Sequence, residues 1–368
     1  MSERPLVLVD ADTVGRARTG DESYVINLLR ALPEAAPDLA FAASLRDPLD
    51  MPEDVPAPVR RLALAVASPY RRIPFALPRL ARHERASLLH VQYFVAPRLH
   101  LPTVVTVHDL SFTRSPELFG RRDRLLLGGL VPGSVRRATR VIAVSEFTRG
   151  DLIDRYDLPP GQVVAIQNGV SARFHPDPEA ARAVRVSLGL ERPFVLFVGA
   201  LQPRKNAPML VDAFARLREH PGLDLAIAGG DRGGLAALRE RIAAHGLGDR
   251  VRLLGHVHED VLPGLYSAAE VLAFPSLYEG FGLPALEAMA CGTPVCASST
   301  TGLGEAVGDA GLTFDPTSLE EIVSCLDRVL GDAALRARLS AAGIARAAHF
   351  TWRRSAEATA AVYREAIG

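Results

Sequence analysis

Short apolar runs rich in β-branched residues alternate along this chain with longer stretches in which apolar residues recur every three or four positions. PLVLVD at 5–10, SLLHV at 87–91, TVVTV at 103–107, RVIAVS at 140–145 and QVVAI at 162–166 read as buried strands. Helices are predicted near residues 22–32 and from about residue 146. A polar, proline-bearing stretch, SARFHPDPEAARA at 171–183, interrupts the rhythm and reads as a linker. The pattern then restarts with strands PFVLFVGA at 193–200, LDLAIAGG at 223–230, VRLLG at 251–255, EVLAFPS at 270–276 and PVCAS at 294–298. Helices are predicted near 207–218 and 234–245, at LEAMA, and over the tail FTWRRSAEATAAVYREAIG. Strands alternating with helices imply parallel sheets covered on both faces, so two such halves predict an α/β chain of two Rossmann-like domains facing a central cleft.

The 368 residues suffice for about two domains. Lys+Arg and Asp+Glu are both 42, a zero net charge that supplies no excess for neutralising nucleic-acid phosphates. Cys291, Cys296 and Cys325 are odd in number and lie in apolar surroundings, as reduced thiols of a cytoplasmic protein do. The first apolar run is only four residues long before Asp10, and no later one approaches 18, so neither a leader peptide nor a membrane span is expected. Two arginine-rich stretches with apolar neighbours, YRRIPFALPRLARHER at 70–85 and GRRDRLLLGGLVPGSVRR at 120–137, read either as solvated helix faces or as contacts with an anionic membrane surface.

Several candidate motifs are incomplete. Gly15 and Gly20 have the spacing that opens a phosphate-binding loop, but Asp21 and Glu22 stand where Lys and Ser or Thr belong. No GxGxxG follows the first strand, the Asp10-x-Asp12 pair is a weak metal signal at a strand end, and His258-Glu259 lacks a second histidine. Lysine usage is more informative. Lys205 in VGALQPRKNAP is the only lysine of the chain, every other basic position being arginine, which suggests that this place needs a compact ammonium. It follows a strand and opens a helix, at the sheet edge where open α/β folds bind ligands.

SLYEGFGLPALEAMACGTPV at 276–295 has the same placement. The glycines of GFGLP allow close approach of backbone to a ligand, and Pro284 suits the first turn of a helix whose amino end favours an anion. Glu279 lies before those amides and Glu287 within the first turn or so of the helix. The pair can accept hydrogen bonds from hydroxyls on either side of a bound phosphate, as a sugar nucleotide would offer. The alternative is that Glu287 complements the helix dipole and Glu279 is solvated.

The same segment resembles the E-x7-E signature of the retaining glycosyltransferases of family 4, which have the GT-B fold. DADTVGRARTGDESYVINLLRAL, TVVTVHDLSFTRSPELF, RVIAVSEFTRGDL, AIQNGV, VGALQPRKN, LAIAGG, LLGHV, EAVGDAGLTFDP and FTWRRSAEATAAVY resemble further blocks of that family, in order. The resemblance implies an acceptor-binding domain at 1–175, completed by a terminal helix 352–368 crossing back to it, and a nucleotide-sugar-binding domain at 176–351. It implies a hexosyltransferase of polysaccharide biosynthesis, cytoplasmic or peripheral on the inner face of the cell membrane, without a cofactor or required metal. The implied donor is GDP-mannose or a UDP- or dTDP-sugar, the acceptor a glycan or lipid-linked hydroxyl, with no nucleic acid.

Carried over to this sequence, the resemblance gives Glu279 the donor-sugar hydroxyls, Glu287 the ribose diol, and Lys205 with Arg204 the diphosphate. His108 contacts the reaction centre, Gly280, Phe281, Gly282 and Leu283 offer amides, and Gly20, Gly199, Gly229 and Val257 line the donor. Tyr93 and Ser145 lie towards the acceptor, although Ser145 equally suits a helix N-cap. Ala200 departs from the family, many members having arginine there, as does the acidic Asp21-Glu22 pair. A glycoside hydrolase and a catalytically silent sugar-nucleotide-binding subunit are the rival readings.

Overall fold

The computed structural model describes residues 4–16, 20–97, 99–114, 116 and 120–368, without the side chains of 121–123 and 125. Residues 17–19 of the first loop and 115 and 117–119 of SPELF therefore lie outside the described residues, and of the first arginines in the second basic stretch, 121 and 122, only the backbone is described. The chain divides into two compact units, Met1–Gly169 with Thr351–Gly368, and Val170–Phe350.

The first unit is built on strands β1 (Leu6–Asp10), β2 (Ala40–Leu45), β3 (Val59–Ala63), β4 (Leu88–Gln92), β5 (Thr103–Val107), β6 (Arg140–Ala143) and β7 (Val163–Ala165). They pair in the order β3-β2-β1-β4-β5-β6-β7, all parallel. Alternating side chains serve two cores. Val7 and Val9 face the helix Gly20–Ala35 and the terminal helix Trp352–Ile367, whereas Leu6 and Leu8 face the opposite side with Leu89, Val105 and Val107. Thr351 caps the terminal helix by accepting from the Arg354 amide, and Tyr363 on its buried face reaches His90 Nδ1 at 2.6 Å. Gly169 makes that docking possible, because a Cβ there would stand 2.1 Å from the Trp352 backbone nitrogen.

The second unit carries β8 (Phe194–Val198), β9 (Asp224–Ala228), β10 (Val251–Gly255), β11 (Val271–Phe274), β12 (Val295–Ser298) and β13 (Leu312–Phe314), in the order β10-β9-β8-β11-β12-β13 and again parallel. In both sheets the winding reverses once, between β1 and β4 and between β8 and β11. Such reversals are where open α/β sheets bind ligands.

The 171–183 stretch is not a linker throughout. A helix, Pro178–Leu188, begins inside it, with Asp177 accepting from the Glu179 and Ala180 amides and Pro178 in the first turn, while Phe174 packs edge-on against Tyr266 at 5.9 Å. Strands β2, β3 and β13 and the helix Leu262–Ala268 are additions to the predicted set. No described helix is long and apolar enough to cross a membrane.

Candidate functional site

The polypeptide leaving β8 forms a short 3-10 turn, Pro203–Lys205, and Asn206 then adopts the left-handed conformation, φ 57°, before the helix Ala207–Ala215. This turn sends Lys205 back under the sheet edge instead of into the helix. Its Nζ donates to Glu279 Oε1 at 2.5 Å and stands 5.0 Å from the centre of the Phe274 ring. Arg204 Nη1 donates to the Tyr278 carbonyl at 2.9 Å and lies 3.4 Å from Glu279 Oε2. Lys205 and Glu279 are both buried. Burial pushes the Glu279 carboxyl upward, but the Lys205 ammonium and Arg204 guanidinium outweigh it and hold the group below its ordinary value, ionised. The Glu279 amide donates to Thr301 Oγ1 at 3.0 Å, and its carbonyl accepts from the Gly302 amide at 3.1 Å. Thr301 has φ 66°, a strained backbone that braces the glutamate.

Beyond Glu279 the loop turns at Gly282, φ 105°, into the helix Leu283–Ala290. A Cβ on Gly282 would stand 2.3 Å from Leu303 Cδ1, so both backbone angle and space demand glycine. The amides of Phe281, Gly282 and Leu283 donate no hydrogen bond among the described residues. Three consecutive donors at a helix amino end, beside a buried ammonium, form a ready anion seat. Glu287 is the fifth residue of that helix, just past its first turn. Its Oε2 accepts from Tyr266 Oη at 2.9 Å, and burial raises its carboxyl to about 7, only partly offset by that hydrogen bond and by Arg173.

Gly199 and Gly229 end β8 and β9 side by side. A Cβ on Gly229 would sit 1.8 Å from the Gly199 carbonyl oxygen, so its lack of a side chain serves the backbone approach at this sheet edge. Val257, half-buried, follows β10 in the next loop.

In the first unit, His108 follows β5 and is nearly buried. Its Nε2 bonds Gln92 Oε1 at 2.7 Å and lies 3.8 Å from Asp21, and the Tyr24 ring packs edge-on at 4.9 Å. Tyr93, in the left-handed conformation with φ 59°, brings its ring within 5.7 Å of His108. Behind them runs a buried chain from Tyr363 through His90 and Thr106 to Tyr24. Burial, aided by His108, drives His90 down to about 3, so its ring is neutral. Ser145 is committed to capping: its Oγ accepts from the Thr148 amide and donates to Thr148 Oγ1, both at 3.0 Å. Gly20 opens the first helix in an exposed position. Asp10 is clamped by Arg72 and Ser44, and Asp12 by Arg46 and Arg16, so both carboxylates are consumed by guanidinium pairs. Arg72 belongs to the first arginine-rich stretch, yet it is buried; that stretch is not solvated throughout.

Two sequence-family models cover most of the chain: Glycosyltransferase Family 4 over residues 18–174, and Glycosyl transferases group 1 over 182–346. An O-antigen chain mannosyltransferase B from Escherichia coli is 33% identical over 281 residues, covering 73% of this chain and 73% of its own. The chain belongs to the family 4 glycosyltransferases. A D-inositol 3-phosphate glycosyltransferase from Salinispora arenicola is 38% identical over 309 residues, 76% of this chain and 69% of that protein. Among solved structures, a sucrose-phosphate synthase from Thermosynechococcus elongatus superposes with a TM-score of 0.82 at 26% identity, covering 98% of this chain and 99% of that one. The two parallel-sheet units of this glycosyltransferase are those of the GT-B fold.

Thr301, Tyr266 and Gln92 enter the site without having been read from the sequence. Tyr266 sits in a seven-residue helix, Leu262–Ala268, whose brevity hides its period. Thr301 lies in a turn whose role depends on a contact 22 residues away.

Proposed function

We propose that this glycosyltransferase moves a hexosyl group, with mannose the first choice, from a nucleoside diphosphate sugar to a hydroxyl of a glycan or lipid-linked acceptor, with retention at the anomeric carbon. The observation that carries this reading is the Lys205–Glu279 pair beside the three acceptorless amides of 281–283, at the reversal between β8 and β11. A diphosphate seated on those amides has Lys205 and Arg204 alongside. An ammonium has three N–H donors and can hold Glu279 and a phosphate oxygen together. Glu279, ionised, accepts from donor-sugar hydroxyls, and Glu287 from the ribose diol. The curated relatives' names, one a mannosyl transfer and one a glycosyl transfer to an inositol phosphate, support hexosyl transfer and leave the acceptor class broad.

In this reading the acceptor hydroxyl attacks the anomeric carbon on the face from which the diphosphate departs. The carbon–oxygen bond to the diphosphate breaks, a new one forms to the acceptor, and the hydroxyl proton passes to a departing phosphate oxygen. Negative charge grows on that phosphate, so fixed donors there stabilise the transition state more than the bound substrate. Neutralisation falls to Lys205, Arg204 and the helix amides, which assigns no step to a metal. His108, fixed by Gln92 and Tyr24, is assigned to the donor sugar, and Tyr93 to the acceptor side. Tyr70 and Phe75, 57% and 70% exposed in the segment that carries the exposed arginines 71, 79 and 82, are assigned to an anionic membrane surface.

The test is a thermal-shift panel of GDP-mannose, UDP-glucose and dTDP-glucose, followed by assay of nucleoside diphosphate release with and without acceptor. The matching donor at a hundred times its dissociation constant adds about 2.7 kcal/mol of stability. Stabilisation by none of them would sink the reading. Acceptor-independent release would turn it towards hydrolysis, and binding without release towards a silent subunit.

A further inference from the structure

Glu287 can serve a ribose diol only if its carboxylate is held still, and the described residues supply one holder. Tyr266 Oη donates to Glu287 Oε2 at 2.9 Å, while Oε1 takes no hydrogen bond among the described residues. The tyrosine is fixed on every side. It is 0% exposed, its ring meets Phe174 edge-on at 5.9 Å, and its carbonyl accepts from Thr293 Oγ1 at 2.6 Å. Burial and the adjacent Glu287 carboxyl push the phenol well above its ordinary value, so the hydroxyl stays protonated and points its proton one way.

We infer that Tyr266 is a positioning residue for nucleotide recognition: by occupying one lone pair of Glu287 Oε2 it orients the carboxylate so that Oε1 faces the ribose hydroxyls. This rests on the proposed ribose role of Glu287 and extends it to a residue that does not itself touch the nucleotide. A carboxylate on a two-methylene stem would otherwise sample several rotamers, and each rotamer lost to binding weakens the complex. Tyr266 removes that freedom before the nucleotide arrives. The helix Leu262–Ala268 thereby contributes to a site formed by the loops after β8 and β11.

The experiment compares dissociation constants of GDP and UDP with those of their 2′,3′-dideoxy counterparts, by calorimetry, on the wild-type protein and on Tyr266→Phe. Wild type should prefer the ribonucleotide roughly tenfold or more, as hydrogen bonds to a charged group do. Tyr266→Phe should cut that preference severalfold while leaving the dideoxy affinity unchanged. A merely structural role for the hydroxyl would weaken ribo and dideoxy forms alike, and an unchanged ratio overturns the inference. A wild type that does not discriminate overturns the ribose assignment of Glu287 itself, so the two failures are distinguishable. Should Tyr266→Phe fail to fold, the 13Cζ resonance of Tyr266 in the wild type decides. It should shift with GDP or UDP and stay in place with the dideoxy forms, and equal shifts with both contradict the proposal.

Discussion

Lys205 Nζ and Glu279 Oε1, 74 residues apart in the chain, meet at 2.5 Å under the sheet edge of the second unit, both nearly buried. The only lysine of the chain is thus paired with the first of the two glutamates in the 276–295 segment. Removing one partner leaves a buried charge without its main counter-charge, so Lys205→Ala should destabilise the protein by about 3 kcal/mol. It should also lower turnover roughly a hundredfold or more. Urea unfolding and a nucleoside diphosphate release assay check the two arms. Unaltered turnover in a folded variant would remove Lys205 from the leaving-group role.

Glu279 and Glu287 should respond to pH in opposite directions. The folded Glu279 carboxyl is depressed, so its contribution is present above about 4.5 and is lost as pH falls through its folded value. The folded Glu287 carboxyl is raised from 4.5 to about 7, so the folded protein keeps a proton that the unfolded chain has released. Its contribution is present below 4.5 and lost as pH rises through about 7. The ceiling is about 3 kcal/mol, and partial exposure of the carboxylate makes the measured loss smaller. Melting temperatures of wild type and Glu287→Gln from pH 4.5 to 8 give the check: the gap should close or reverse as pH rises, and parallel curves would contradict the assignment.

Gly229 and Gly230 are neighbours with different burdens. A Cβ on Gly229 would overlap the Gly199 carbonyl oxygen, whereas one on Gly230 meets nothing within 4 Å. Gly229→Ala should therefore cost about 2 kcal/mol or more and distort the edge carrying the donor loops, while Gly230→Ala should stay within about 1 kcal/mol. Paired urea titrations measure both, and equal losses would show that the backbone relaxes around the new methyl.

Tyr70 and Phe75 are exposed aromatics in a segment whose arginines 71, 79 and 82 are exposed as well. Each arginine near an anionic surface contributes about 1 kcal/mol. Flotation with phosphatidylglycerol vesicles should recover the wild type, and Phe75→Ser with Arg79→Ser should reduce recovery severalfold. Equal recovery on phosphatidylcholine vesicles would dismiss the electrostatic contact.

Strands β1, β4, β5, β8, β9 and β11 were legible because their apolar runs are buried on both faces, and a parallel sheet demands that of its central strands. β3 was not: its two central arginines are exposed on an edge strand, so the pattern there is polar. The helix Pro178–Leu188 was hidden by the prolines before it, although Asp177 and Pro178 are a start signal. At the site, the Lys205 and Glu279 positions could be read from lysine scarcity and glycine spacing. Their mutual contact could not, because it depends on the left-handed Asn206 and on Thr301 across the sheet edge. Asp10 and Asp12 lie in a cluster with Arg16, Arg46 and Arg72, pairings set by β2 and by the helical turn after Tyr70.

The most direct measurement is a crystal structure of the protein with an intact nucleotide sugar, GDP-mannose first. The expected result places the diphosphate within hydrogen-bond distance of Lys205 Nζ and of the amides at 281–283, with the ribose hydroxyls on Glu287. A diphosphate bound elsewhere, with Lys205 engaged only by Glu279 and those amides turned to water, would contradict it.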